Sequence, residues 1–485
     1  MPEPENRSLT LVRGLSLVAA VSIIIGNVIG TGVFLKARVM TCNVGTPGMV
    51  LTVWVVAGLL SLAGALTYAE LTAMMPRAGG EYVFMREAYG RGAGFLSGWM
   101  QIFIAKTGSQ ASVALVFAAS LNGMTGNRLE TFSGYGVQAV AILLILAITL
   151  LNCAAVRVSG WVATVLTGVK IALVLGVGLG AFILAQGDWG NFALSNIGGT
   201  CEGVSPGATL GVAGFGAAML GALWGYDGWN NLTFVAGEVK DPQRNVPLAL
   251  IGGTAFIMLL YIFINAAYFY ALSPTAVASV SENSSVAAEV TNSFMAPFSA
   301  SAKALVAGLV AAALMGSSLG TLHTSVLTGA RVPYAMARDG LFFDRLSKIS
   351  ERTRVPVRAV LAQGLWACAL VFILQSFDKL TDYVVFGSYI FYGLVTASIF
   401  VFRRRMPEAE RPYRTWGYPY VPFLFLVVTG YLLVNTFWAA PKEALFGLLL
   451  IGLGFPVYYL FFRNRPAVYA EPTEEALPKK SDRSE

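Results

Sequence analysis

Apolar stretches long enough to cross a bilayer recur along the whole of this chain, and they decide its class. A helix needs about 20 consecutive apolar residues to cover the roughly 30 Å hydrocarbon layer. Windows of that length give twelve candidate spans, at 15–35, 48–73, 92–121, 134–152, 160–185, 212–236, 246–271, 302–330, 357–376, 380–402, 418–438 and 443–462. With 56% hydrophobic and only 12% charged residues, about half the charge of a soluble domain, a soluble fold is excluded. The expectation is an all-α integral membrane protein: a cytoplasmic N-terminal segment at 1–14, one twelve-helix unit over 15–463, and a polar tail at 464–485 that reads as disordered.

Charge sets the orientation. The polar start Met1–Thr10 and the first apolar stretch lack a small-residue cleavage site, so the first helix is expected to remain. An even number of spans puts both termini on one side. With that side cytoplasmic, 25 of the 33 Lys and Arg fall in cytoplasmic loops or tails, 6 fall outside, and Lys106 and Lys170 lie within spans. This asymmetry is the positive-inside pattern, and it accounts for most of the net charge of +7. The basic loops read as topogenic charge against anionic lipid, so no nucleic-acid partner is expected.

The cysteines Cys42, Cys153, Cys201 and Cys368 show no C-x-x-C spacing and no clustering with His323, the single histidine, so no metal site is expected. Cys42 and Cys201 fall in predicted outside loops, which leaves a disulfide between them open in an oxidising compartment. A phosphate loop is missing: Lys106-Thr107 follows Ala105 where the motif needs glycine. Without convergent His, Asp or Glu clusters in the spans, an enzyme is not expected, and neither is a cofactor.

Two apolar segments are interrupted at corresponding depths, by Gly26-Asn27-Val28-Ile29-Gly30-Thr31-Gly32 in the first and Gly225-Tyr226-Asp227-Gly228-Trp229-Asn230-Asn231 in the sixth. Glycine costs a helix interior about 1 kcal/mol relative to alanine, and aspartate at the bilayer centre costs about 2.5–3.5 kcal/mol. The two lie five helices apart, where an inverted repeat places equivalent elements, and paired interruptions mark a transporter's binding site. Amides at Gly30, Thr31 and Gly32, opening a half-helix, suit a carboxylate; carbonyls freed at both breaks suit an ammonium. A zwitterion matches both. Gly26-x-x-x-Gly30 also fits close helix packing, and Asp227 reads either as a substrate contact or as a buried carboxylate held by neighbouring hydroxyls and amides. Lys170 sits too deep to snorkel and must face the interior. His323 reads as a satisfied core residue or a proton relay, and the role of Lys106 stays open.

Taken in order, these stretches resemble the amino acid–polyamine–organocation superfamily and, within it, the L-amino acid transporter family. The resemblance rests on Ile25–Phe34, on Tyr68-Ala69-Glu70-Leu71 with Pro76–Tyr82 and Ala88-Tyr89-Gly90, on Trp224–Asn231, and on Gly237–Pro247. It implies the leucine-transporter fold, with five plus five helices in inverted repeat, two added helices, and helices 1 and 6 broken. Carried over by position, Gly30, Thr31 and Gly32 would hold the substrate carboxylate. Carbonyls at Val28, Trp224 and Gly225 would hold its amino group. Trp224 would close over substrate, and Asp227 and Asn230 would approach the side chain or organise the break. Lys170 would take the place of a sodium ion and tie helix 1 to helix 8.

The implied function is secondary transport of amino acids across the inner membrane by alternating access, as sodium-independent exchange of neutral L-amino acids. Proton-coupled import of amino acids or polyamines is the alternative. Residues 121–135 hold no cysteine, so no disulfide-linked heavy chain is expected. Thr107 stands where the family commonly has proline, which leaves the local shape of helix 3 open.

Overall fold

The computed structural model describes residues 11–466 apart from 31, 133, 155, 203, 205–208, 282–283, 296, 375–376 and 440. Those residues form helices α1 (Leu17–Val28), α2 (Gly32–Val44), α3 (Pro47–Met74), α4 (Glu81–Tyr89), α5 (Arg91–Met100), α6 (Lys106–Met124), α7 (Arg128–Phe132), α8 (Gly136–Asn152), α9 (Val156–Leu184) and α10 (Gly211–Tyr226). The second half adds α11 (Pro242–Ala271), α12 (Pro274–Ala278), α13 (Val286–Met295), α14 (Ala300–Gly329), α15 (Arg331–Arg338), α16 (Val357–Leu374), α17 (Phe377–Arg405), α18 (Tyr420–Ala439), α19 (Pro441–Gly452) and α20 (Gly454–Val457). Among the described residues the only β pairing is an isolated parallel bridge between Leu15 and Val239.

Among the described residues, nine helical segments are long and apolar enough to cross a membrane. The expected spans at 134–152 and 357–376 fall on the shorter apolar helices Gly136–Asn152 and Val357–Ile373. That at 212–236 falls on α10, which stops after 16 residues because Asp227 turns extended (φ −58°, ψ 140°). The expected segment 1–14 and tail 464–485 fall largely outside the described residues.

Local sequence explains most boundaries. Ser16 caps α1 by accepting the Ala19 amide at 3.3 Å, and Thr46 caps α3 ahead of Pro47, whose missing N–H costs nothing at a first helical position. Between α5 and α6 the residues Gln101–Ala105 form a π turn, and the Thr107 hydroxyl donates to the Ile102 carbonyl at 2.9 Å. This settles the shape of helix 3 near Thr107: the backbone widens by one residue, an arrangement common at functional sites.

α11 packs along α3, α14 against α6 and α9, and α10 along α2. Large apolar side chains such as Leu143, Trp161, Ile183 and Leu365 remain exposed on outward faces, as lipid-facing positions require. The inward faces hold polar side chains instead, including Lys170, Glu81, Asn230 and Arg331, all with no exposed surface. One end of the helix assembly is stapled by a disulfide between Cys42, near the end of α2, and Cys201.

Candidate substrate site

α1 ends at Val28 and α2 begins at Gly32, so two residues described between them, Ile29 and Gly30, carry non-helical backbone. Gly30 donates back to the Val28 carbonyl at 2.7 Å, and the Ser317 hydroxyl reaches the Ile29 and Gly30 carbonyls at 3.1 and 3.3 Å. After α10 the chain turns through Gly228, whose φ of +101° is in the region that glycine alone adopts readily. A Cβ on Gly228 would sit 2.9 Å from the Cβ of Asn27. The two interruptions therefore touch.

A single hydroxyl joins them. Tyr261 on α11 contacts the Val28 carbonyl at 2.8 Å and the Gly225 carbonyl at 2.9 Å. On the other side of α1 the Lys170 ammonium donates to the Gly26 carbonyl at 2.5 Å and to Thr321 Oγ1 at 2.7 Å. Thr321 itself donates to the Gly26 carbonyl at 3.2 Å. The Lys170 side chain thus ties α1, α9 and α14 together.

Between the breaks lies a small cavity of about 20 Å³, lined by Asn27, Val28, Gly30, Gly32, Ser109, Val113, Trp224, Asp227 and Thr321. It is about the size needed for one water molecule, so anything larger enters only as the surrounding helices part. Of the residues singled out from sequence, Val28, Gly30, Gly32, Trp224 and Asp227 line it. Thr31 lies outside the described residues. Gly225 packs its Cα against Gly32 and directs its carbonyl to Tyr261. Asn230 faces away, its amide donating to Glu81 Oε1.

Sequence reasoning missed several neighbours. Asp227 accepts from the Tyr392 hydroxyl at 2.7 Å. Glu81 accepts from the Tyr68 hydroxyl at 3.0 Å and the Gln101 amide at 2.6 Å as well as from Asn230. Lys106 meets Asn231 Oδ1 and sits 4.2 Å from the Phe234 ring centroid. His323 is a satisfied core side chain: Asn152 Nδ2 lies 3.1 Å from Nδ1, and Nε2 lies 3.0 Å from the Ser159 carbonyl. The motif Gly-Gly-Glu-Tyr at 79–82 was the available signal for Glu81; nothing local pointed to Tyr392.

A helical membrane protein with two touching chain breaks around one buried cavity is the architecture of a permease. A family model for amino acid permeases matches residues 15–459, and the chain belongs to that family. It is 30% identical over 462 residues to the b(0,+)-type amino acid transporter 1 of Homo sapiens, covering 94% of this chain and 89% of that protein. It is 32% identical over 454 residues to the serine/threonine exchanger SteT of Bacillus subtilis (strain 168), covering 93% and 97%. With the large neutral amino acids transporter small subunit 2 of Homo sapiens it shares 28% identity over 467 residues, covering 96% and 83%.

Proposed function

We propose that this chain exchanges neutral L-amino acids across the cytoplasmic membrane by alternating access and without sodium. It does so on twelve membrane helices in a five-plus-five inverted repeat, with the first and sixth broken. The shorter helices α8, α10 and α16 supply the spans beyond the nine long ones. The observation that carries the reading is the convergence of both interruptions on one cavity with Lys170 fixed beneath it. Bonded to the Gly26 carbonyl and Thr321, Lys170 stands in this reading where a sodium-dependent carrier must bind its ion anew in each cycle.

In this reading the Gly30–Gly32 end of α2 takes the substrate carboxylate, the carbonyls at Val28, Trp224 and Gly225 take its ammonium, and Trp224 closes over it. Asp227 lies beside the side chain, while Asn230 organises the break through Glu81. Both termini are cytoplasmic, and the Cys42–Cys201 pair favours this, because a disulfide at the opposite end then faces the oxidising side. No heavy chain is required.

Proton-coupled import remains the second reading, favoured by Glu81: burial pushes its carboxyl up to about 7, against the pull of Lys106 and of its hydrogen-bond donors. Uptake of labelled alanine, serine, leucine and arginine into proteoliposomes separates the two. Exchange predicts uptake that needs internal amino acid and ignores sodium and the pH gradient. Uptake into empty vesicles driven by an inward proton gradient would replace it with the proton-coupled reading.

A further inference from the structure

The cavity has four polar side chains in its wall, and three are spoken for. Asn27 donates to the Ile23 carbonyl at 2.9 Å, Thr321 serves Gly26 and Lys170, and Asp227 accepts from Tyr392. Ser109 has no hydrogen-bond partner among the described residues. Other hydroxyls also lack a partner, Ser112 on the same helix among them, but of these only Ser109 lines the cavity. Serine and threonine within membrane helices ordinarily donate to a carbonyl one turn back, as Ser61 does to Ala57 at 2.9 Å and Thr72 to Tyr68 at 2.7 Å. The Ser109 hydroxyl instead faces the cavity and keeps part of its surface open.

Its placement follows from the helix before it. The π turn at Gln101–Ala105 shifts the facing of α6, and Ser109 and Val113, one turn apart, then share the face that lines the cavity. The opposite wall is closely packed. Gly32 and Gly225 are packed so closely that a Cβ on Gly32 would lie 2.7 Å from the Gly225 Cα. Trp224 and Val113 complete the enclosure. A side chain entering here meets a short, tight space with one free hydroxyl and one carboxylate in its wall.

We infer that Ser109 is a specificity-determining residue whose hydroxyl, together with the Asp227 carboxylate, selects amino acids with a short hydroxyl-bearing side chain over apolar ones of similar size. The inference rests on the exchange reading above. The chemistry is reciprocal: a substrate hydroxyl donates to a free lone pair of Asp227 and accepts from Ser109, while an apolar isostere leaves the Ser109 hydroxyl without a partner and Asp227 with Tyr392 alone. Sites built to bond a hydroxyl reject the analogue lacking it more strongly than apolar pockets reject an added methylene.

The experiment is counterflow into proteoliposomes loaded with alanine, comparing external serine, threonine, alanine and 2-aminobutyrate as kcat/KM. The wild-type protein is expected to favour serine over alanine and threonine over 2-aminobutyrate. S109A is expected to reduce both ratios by about fivefold to tenfold, the worth of one hydrogen bond, and S109T, which keeps the hydroxyl, to retain the serine ratio. S109C provides a second variant without a hydroxyl should S109A not fold. Ratios that are the same in wild type, S109A and S109C overturn the assignment while leaving exchange itself intact. A wild-type protein that exchanges none of the four overturns the exchange reading and this one with it.

Discussion

Arg331 grips the Glu238 carboxylate through Nε at 2.7 Å and Nη2 at 3.0 Å, with neither side chain exposed. The same guanidinium donates to the Leu327 carbonyl at 2.6 Å. The backbone carbonyl of Glu238 accepts from Leu15 at 2.9 Å, and Lys240 donates to the Leu15 carbonyl at 2.9 Å. The pair therefore joins the segment before α1, the chain after the second interruption and the junction of α14 with α15, closing the assembly at that end. Breaking a buried pair by removing one partner strands the other charge, at a cost of about 3–5 kcal/mol. R331Q is expected to lower the thermal midpoint in detergent by several degrees and to speed thiol labelling of a cysteine placed at Ala330, beside the pair. An unchanged midpoint and labelling rate would show that the pair does not hold this end shut.

The contact between Gly32 and Gly225 makes a second prediction. Gly32→Ala places a Cβ 2.7 Å from the Gly225 Cα and 3.2 Å from its amide nitrogen, backbone atoms that cannot rotate away. Overpacking of this kind costs about 1–3 kcal/mol, and here it pries apart the two half-helices that wall the cavity. G32A should lose stability and most exchange activity. Gly48→Ala, where nothing lies within 4 Å of the added carbon, should match the wild type in both. Equal behaviour of the two variants would remove the close approach of α2 and α10 from the account.

The interruptions were legible in the sequence because glycine, asparagine and aspartate cluster at bilayer depth in two segments five helices apart, a pairing that helix packing of one Gly-x-x-x-Gly does not account for. Lys170 was legible because it sits too deep to snorkel. What escaped were side chains whose meaning lies in a partner far along the chain. Glu81 meets Asn230 from 149 residues away, and Tyr392 meets Asp227 from 165 away, and neither has a local periodicity that announces it. Ser109 escaped differently: a widened helical turn decides which face of α6 it occupies, and periodicity taken at 3.6 residues misplaces everything after such a turn. Asn230 shows the limit of arguing from position alone, since it shares the interruption with Asp227 yet points to the opposite side.

Thiol chemistry tests the staple between α2 and the loop before α10. Cys153 and Cys368 are free, and Cys42 and Cys201 are bonded. Alkylation of the denatured, unreduced protein should add two groups by mass spectrometry, rising to four after reduction. Four groups before reduction would mean that the ends of these elements are held only by their hydrogen bonds, such as Leu210 donating to the Asn43 carbonyl at 2.6 Å.

Glu81 predicts how stability depends on pH. Burial raises its carboxyl to about 7 from an ordinary 4.5, although Lys106, Asn230, Tyr68 and Gln101 each pull it back. The folded protein therefore holds this proton more tightly than the unfolded chain does. The associated stability is complete below about pH 4.5 and is lost as pH rises through 7. E81Q keeps the shape and removes the titration. Its amide, like the protonated carboxyl it replaces, both donates and accepts. Between pH 5 and 8 the thermal midpoint of the wild type should fall more steeply than that of E81Q, the two curves lying closest at the acid end, where Glu81 is neutral like glutamine, and separating toward the alkaline end. Parallel curves would mean that Glu81 stays ionised throughout, with Lys106 as its effective counter-charge across the helix break.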